Sequence, residues 1–247
     1  MKEYFARQRG TNTFDSPAFS ANLELWLDLS DISTMTLNGG DISQIDDKSG
    51  NNRHATQVTA SEQPAYSLGT QNGRNAATLD GVDEWLAGPI LDVFRQPYTI
   101  FMVISLSAAS QSFFAWTEGG GHGLNLSSSN QANKIRALHR FPYGSVGGDD
   151  TVSSATYVYG TPVLFTVVRD SGFNEEVFFN GVSVGTLAGS DNFFNTPGNG
   201  YAIGRLGITL AGRYTNGNFN ELAVYSRELP AQERSSRENG LIRKWGL

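Results

Sequence analysis

The sequence predicts an all-β sandwich or barrel closed by one short C-terminal helix, and three observations carry that prediction. Short runs with period-two alternation, or rich in β-branched and aromatic residues, recur from residue 23 onward. Turn dipeptides such as Asn38-Gly39, Asp80-Gly81 and Asn180-Gly181 punctuate them. No long amphipathic helix interrupts the series before its end, which argues against βαβ units.

Taken in order, LELWLDLS alternates Leu23, Leu25, Leu27 and Leu29 with Glu24, Trp26, Asp28 and Ser30, the pattern of a half-buried strand. Residues 46–54, DDKSGNNRH, form a polar loop. AATLDGVDEWL over 76–86 predicts two short strands about a tight turn at Asp80-Gly81. YTIFMVISL, 98–106, is apolar on both faces and predicts a central strand covered on both sides. Further strands are expected at 112–117, 122–127, 134–139, 162–169, 175–179, 182–187, 201–205 and 221–225, with Asn180-Gly181 as a hairpin turn. EGGGHG, 118–123, reads as a hairpin tip. Pro230 suits the first position of a helix and Glu233 its first turn. Leu241, Ile242 and Trp245 gather at the far end on one face, with Trp245 expected in the core.

The 247 residues include 28 glycines and 28 aromatics. The absence of cysteine excludes a disulfide scaffold, a thiolate metal site and a cysteine nucleophile. A formal charge of −6 argues against nucleic-acid binding, which needs a basic patch. No run reaches the roughly 18 apolar residues of a membrane span, so no membrane insertion is expected. The first ten residues, MKEYFARQRG, lack the apolar stretch of a secretory signal, so synthesis without Sec export is expected. A mature protein carrying a new Met would look the same. Residues 1–21 read as an arm preceding a domain at 22–247. Lys2, Tyr4, Phe5, Arg7 and Arg9 are its candidate attachment residues, against the alternative of a loose terminus.

Several segments together resemble the laminin-G-like branch of the concanavalin A-like lectin/glucanase superfamily, and in particular stand-alone bacterial and phage domains. They are LELWLDLSD (23–31), DKSGNNRHAT (47–56), QPAYS (63–67), NGRNAATLDGVDEWL (72–86), VFFNGVSVGTL (177–187) and FNELAVYSRELPAQERSSRENGLIRKWGL (219–247). Their order and spacing agree over nearly the whole chain. The resemblance implies a jelly-roll β-sandwich of two antiparallel sheets with a short C-terminal helix.

Enzymes on this frame often carry E-x-D-x-(x)-E on one strand, which points the carboxylates into one cleft. Here Glu24, Asp28 and Asp31 have the wrong spacing. Glu175-Glu176 and Asp83-Glu84 are adjacent and point to opposite faces, and Asp149-Asp150 is expected in a glycine-rich loop. His54, His122 and His139 form no paired-histidine motif, and no G-x-S-x-G elbow or phosphate loop occurs. No catalytic activity is expected. Relatives often hold a structural calcium, for which Asp80 with Asp83 or Asp46 with Asp47 offer oxygens. Turn-forming Asp is the better reading, and no metal or other cofactor is assigned.

Sugar recognition pairs an aromatic platform with short polar groups. The loop-borne candidates are Trp116, His122, Phe141, Tyr143, Asp149, Arg213 and Tyr214, with packing of loops or of a subunit interface as the equal alternative. The resemblance to phage-encoded domains implies a virion surface protein, decorating capsid or tail and presenting the sandwich to host glycans. Its expected partners are a capsid or tail protein and copies of itself. The alternatives are an extracellular bacterial adhesion module and a polysaccharide-degrading enzyme.

Overall fold

The computed structural model describes residues 21–118, 121–128, 131, 133–140, 149–189, 198–209 and 211–247. Among them, seventeen strands precede one α-helix. They are β1 (Leu23–Asp28), β2 (Met35–Asn38), β3 (Asp41–Ile45), β4 (Ala55–Thr56), β5 (Ala65–Gln71), β6 (Arg74–Asp80), β7 (Leu86–Gly88), β8 (Tyr98–Leu106) and β9 (Ser112–Glu118). Next come β10 (Gly121–Ser128), β11 (Ile135–His139), β12 (Asp149–Val152), β13 (Pro162–Arg169), β14 (Glu175–Phe179), β15 (Val182–Leu187), β16 (Gly200–Ile203) and β17 (Asn216–Tyr225), followed by α1 (Ala231–Trp245).

All pairings are antiparallel and build two layers. In the first, β17, β8, β13, β14 and β15 run side by side. The outer edge of β17 is shared by β6 along its first half and β1 along its second. In the second, β7, β16, β9, β10, β11 and β12 follow one another. A single pairing of Asp41 with Ala65 joins the layers on one side, and Ser154 N donating to Val184 O joins them on the other. The result is a jelly-roll sandwich that nearly closes into a barrel.

β8 is buried at all nine positions, as its two apolar faces require. Ile100, Met102 and Ile104 point into the core between the layers, with Phe113, Phe165 and Trp116. Phe101 and Val103 point outward into a second core, where α1 lays Leu241 and Trp245 against Trp26 and Tyr225. This helix is tied down by charge. Trp26 Nε1 and Trp245 Nε1 donate to the two Glu221 oxygens at 2.9 and 2.6 Å, and Lys244 Nζ reaches both Glu221 and Asp28 at 2.7 Å. Lys48 closes the group on Asp28 at 3.2 Å. Pro230 is the residue before the helix rather than its first position, with φ −54° and ψ 145°.

The DKSGNNRH loop covers the free edge of β1. Asp47 accepts from Trp26 N, Ser49 N and Arg53 N, and Arg53 pairs with Glu24 at 2.7 Å. Asn180-Gly181 forms the expected hairpin, with φ of 48° and 79° matching a two-residue turn of positive φ. Asp80-Gly81 does not. β6 pairs with β5 and β17, while β7 pairs with β4 and β16, so this turn carries the chain from one layer to the other. Asp80 Oδ1 accepts from Val82 N and Asp83 N, the turn-forming role.

Candidate functional site

Strand register sorts the molecule into two ends. Tyr98 pairs with Arg169, Arg169 with Glu175, and Glu175 with Leu187, at one end of the first layer. In the second layer Gly88, Trp116, Leu124, His139, Asp149 and Gly200 mark the same end. Arg169 Nη2 contacts Asp149 Oδ2 at 2.6 Å, which brings the two layers together there. The connections after β7, β9, β11, β13 and β15 leave from this loop end. The opposite, far end carries the connections after β8, β10, β12 and β14, together with residues 204–209 and 211–215.

The expected ligand residues divide between these ends. Trp116 and Asp149 belong to the loop end, while Arg213 and Tyr214 lie at the far end beside Ser112, whose N–H donates to Arg213 O. The two pairs therefore do not share one surface. The His122 side chain, Phe141, Tyr143 and the arm residues Lys2, Tyr4, Phe5, Arg7 and Arg9 lie outside the described residues.

Two loop assignments are corrected. Trp116 sits in β9 and is fully buried, because it alternates inward with Phe114 and packs edge-on against Phe94 at 5.5 Å. Gly198 crosses its ring so closely that a Cβ there would lie 2.3 Å from the indole. Asp149 opens β12 and is 4% exposed, turned inward toward Arg169. Neither offers the open platform that stacking on a sugar needs.

Asp149 instead joins a buried polar cluster. Arg169 Nη1 reaches Glu175 Oε2 at 3.4 Å, and Tyr98 Oη donates to the same oxygen at 3.3 Å. His139 pairs in register with Asp149 and faces the same interior. Burial pushes the Glu175 carboxyl up to about 7, against the pull of Arg169. Burial and the Arg169 charge hold the His139 imidazole down to about 3. Sequence reading noted Glu175-Glu176 as facing opposite ways, and they do: Glu175 is interior and Glu176 lines the surface. It missed Arg169, Tyr98 and His139. The available signal was parity: in PVLFTVVR, Arg169 falls on the same inward face as Phe165 and Val167.

Above this cluster, on the outer side of the first layer, lies a groove of about 280 Å3. Asp170, Asn174, Glu176, Thr186 and Glu228 line it with the apolar edge of Leu187, and Glu175 borders it from within the sheet. Its rim turn is fixed locally, since Asp170 accepts from Gly172 N, Asn174 N and Asn174 Nδ2 at 2.8–2.9 Å. Short polar side chains beside an apolar edge suit hydroxyl-rich ligands. No group of three or more His, Asp or Glu that could hold a metal ion occurs among the described residues. Nor is any helix among them long and apolar enough to cross a membrane.

Residues 80–233 match the family described as the concanavalin A-like lectin/glucanases superfamily, laminin G type. The chain belongs to this superfamily. No curated protein sequence matches it. Among solved structures it is similar to domain 4 of AbnA, a GH43 extracellular arabinanase from Geobacillus stearothermophilus, determined with arabinotriose. There the identity is 17% and the TM-score 0.64, over 88% of this chain and 98% of that one. The botulinum neurotoxin serotype D binding domain aligns at 13% identity and TM-score 0.65, over 90% of this chain and 53% of that one. The Trypanosoma rangeli sialidase with the inhibitor DANA aligns at 16% identity and TM-score 0.60, over 96% of this chain and 36% of that one. This chain thus spans about half of the toxin chain and a third of the sialidase. At these identities the likeness shows a shared lectin-like fold.

Proposed function

We infer that this is a non-catalytic glycan-binding domain that meets its ligand at the loop end. The observation that carries this reading is the groove between Asp170, Asn174, Glu176 and Thr186, a polar surface held by ordered strand ends beside an apolar edge. The superfamily and the neighbours solved with arabinotriose or the inhibitor DANA support a sugar ligand. The non-catalytic part rests on the interior carboxylates. Glycoside hydrolysis needs two carboxyl groups facing one bond; Asp149 and Glu175 turn inward onto Arg169, and of the groove carboxylates Asp170 is taken up by Gly172 N, Asn174 N and Asn174 Nδ2, and Glu176 accepts from Ser183 Oγ.

A glycan array tests it. Binding by the parent protein that is lost on the double change Asn174→Ala/Thr186→Ala, with folding intact, supports the groove. Loss on Arg213→Ala alone moves the site to the far end. Release of reducing or unsaturated ends from β-glucans, alginate or carrageenan overturns the non-catalytic reading.

The finer setting is an extracellular or particle surface, with a virion exterior and a capsid or tail partner as its most specific form. The sequence of the first 21 residues supports it, and Asn22 leads into β1 from the loop end. Deleting residues 1–20 and finding attachment to a particle unchanged removes the arm from that role.

A further inference from the structure

We propose that the loop-end groove sorts glycans by charge: it takes sugars that present hydroxyls or protonated amines and rejects those that carry carboxylate or sulfate. This inference rests on the glycan-binding reading above and adds a ligand class to it. The lining residues carry it. Asp170, Glu176 and Glu228 set three carboxylates around about 280 Å3, and no lysine, arginine or histidine lines that space among the described residues. Strand register builds its wall. Val168 pairs with Glu176, and Glu176 with Thr186, so these side chains share the outer face of the sheet. Asp170 and Asn174 add the turn between β13 and β14, and Glu228 comes from the segment between β17 and α1.

The cations on the adjoining elements are engaged outside the groove. Arg169 follows Val168 in β13 and so points to the opposite, inner face, where it is fully buried. Arg227, next to Glu228, pairs with Glu233 at 2.6 Å and donates to Ala21 O. Arg234, in the first turn of α1, lies over the Phe178 ring at 3.8 Å and reaches Glu238 at 3.5 Å. Arg237 is 1% exposed and reaches Glu233. Arg95, in the connection before β8, pairs with Asp92 at 2.9 Å.

The hydrogen-bond inventory points the same way. Glu176 Oε1 accepts from Ser183 Oγ at 2.5 Å, and its second oxygen accepts nothing among the described residues. Glu228 is exposed, and no hydrogen bond or ion pair engages it among the described residues. Burial pushes the Asp170 carboxyl up, but hydrogen bonds from the Asn174 side chain and from the Asn174 and Gly172 backbone outweigh it and hold the carboxyl below its ordinary value. The lining therefore offers acceptors in excess. Its side-chain donors are the Thr186 hydroxyl and the Asn174 amide, and that amide already donates to Asp170. Sugar hydroxyls and ammonium groups bring the donors that ionised carboxylates need. A sugar acid brings acceptors only, and it adds a like charge to a concave surface with no cation to meet it.

The test is an array on which glucan, galactan and mannan oligosaccharides each stand beside their amino, uronate and sulfated counterparts. The parent protein should bind a hydroxyl or amine form about tenfold or more tightly than the acid form of the same backbone at 0.15 M salt. The gap should narrow toward 1 M, where the Debye length falls from about 8 to about 3 Å. Glu176→Gln/Glu228→Gln changes two surface positions and should narrow the gap by about threefold or more. Asp83→Asn removes an exposed carboxylate beside the Asp80 turn at the far end and should leave the gap unchanged. An acid form that the parent binds as tightly as its hydroxyl form, and that Asn174→Ala/Thr186→Ala abolishes, overturns the charge rule and leaves the groove as the glycan site. Equal gaps in the parent and the glutamine double variant also overturn it. Acid-form binding that survives Asn174→Ala/Thr186→Ala places the site outside the groove and overturns both readings. Binding of no form defeats the glycan-binding reading, and the charge rule falls with it.

Discussion

Two pairs of buried carboxylates flank the same sheet and meet different cations. On its outer face Asp28 and Glu221 meet two lysines, Lys48 and Lys244, and two indole N–H groups. On its inner face Asp149 and Glu175 share one arginine. Burial pushes Asp28 up, but Lys244, Ser30 and Lys48 outweigh it and hold the carboxyl below its ordinary value. Burial and then the neighbouring Asp28 push Glu221 up, against Lys244. The inner pair shares Arg169, and burial pushes Glu175 up to about 7 against that charge. Fixed cations make the outer group a latch for the C-terminal helix, whereas a titrating carboxyl makes the inner group responsive to pH.

The largest effect should come from turning the outer group into the inner one. Lys244→Met leaves Glu221 and Asp28 facing each other with Lys48 alone, and breaking a buried pair costs about 3–5 kcal/mol. Urea denaturation should show this loss, with α1 losing hydrogen-exchange protection first. The pH dependence separates the two groups further. The depressed Asp28 contributes stability that is present above pH 3.8 and lost as pH falls below it. Lys244→Met should weaken that acid-side loss and, by letting Glu221 rise further, add a loss of stability as pH rises through the titration of that carboxyl.

Next in size is the inner pair. A carboxyl raised from 4.5 to about 7 corresponds to about 3 kcal/mol. Compared with the double variant His139→Gln/Glu175→Gln, in which the parallel titration of Glu84 remains, His139→Gln should lose about that much more unfolding free energy from the acidic to the alkaline side of that window. A flat difference between the two would mean that Glu175 is already ionised.

The latch was more legible in the sequence than the buried polar cluster of the loop end, for a physical reason. Trp245, Leu241 and the period-two run at Leu23 announce a buried face, because apolar spacing encodes burial directly. The full covering of β8 follows from the same rule. Opposite parity for Glu175 and Glu176 was also readable. Partnership across layers was not, because Arg169, Asp149 and His139 meet only through pairings between distant strands. Asp80-Gly81 looked like a hairpin because a turn dipeptide fixes local backbone and says nothing about which strands later pair. Trp116 was grouped with the loop candidates although the strand expected at 112–117 contains it, and its inward parity with Phe114 decides its place.

A smaller loss, confined to the loop end, is expected for Gly198→Ala. The added methyl would lie 2.3 Å from the Trp116 ring, and such overpacking costs about 1–3 kcal/mol. Trp116 fluorescence and near-ultraviolet circular dichroism should shift, while the outer latch keeps its protection. Unchanged Trp116 signals would show that the segment through Gly198 moves aside freely. For the same reason Trp116→Ala is a stability probe and not a test of sugar stacking.

The smallest effect is expected at the far end, where Arg213 is exposed and holds φ at +53°. Arg213→Ala touches no buried contact and should change stability by no more than about 0.5 kcal/mol. Arg213→Gly should stabilise slightly, because a residue without a Cβ adopts this left-handed backbone without strain. Its value lies in what it leaves alone. If glycan binding belongs to the loop end, both variants keep the parent's array signal, since Arg213 and the Asp170–Asn174 turn sit at opposite ends of the sandwich. A selective loss of binding on Arg213→Ala, with stability unchanged, would reverse the assignment of the two ends. Arg213 and Tyr214 would then be the recognising residues, and the groove a feature of packing alone.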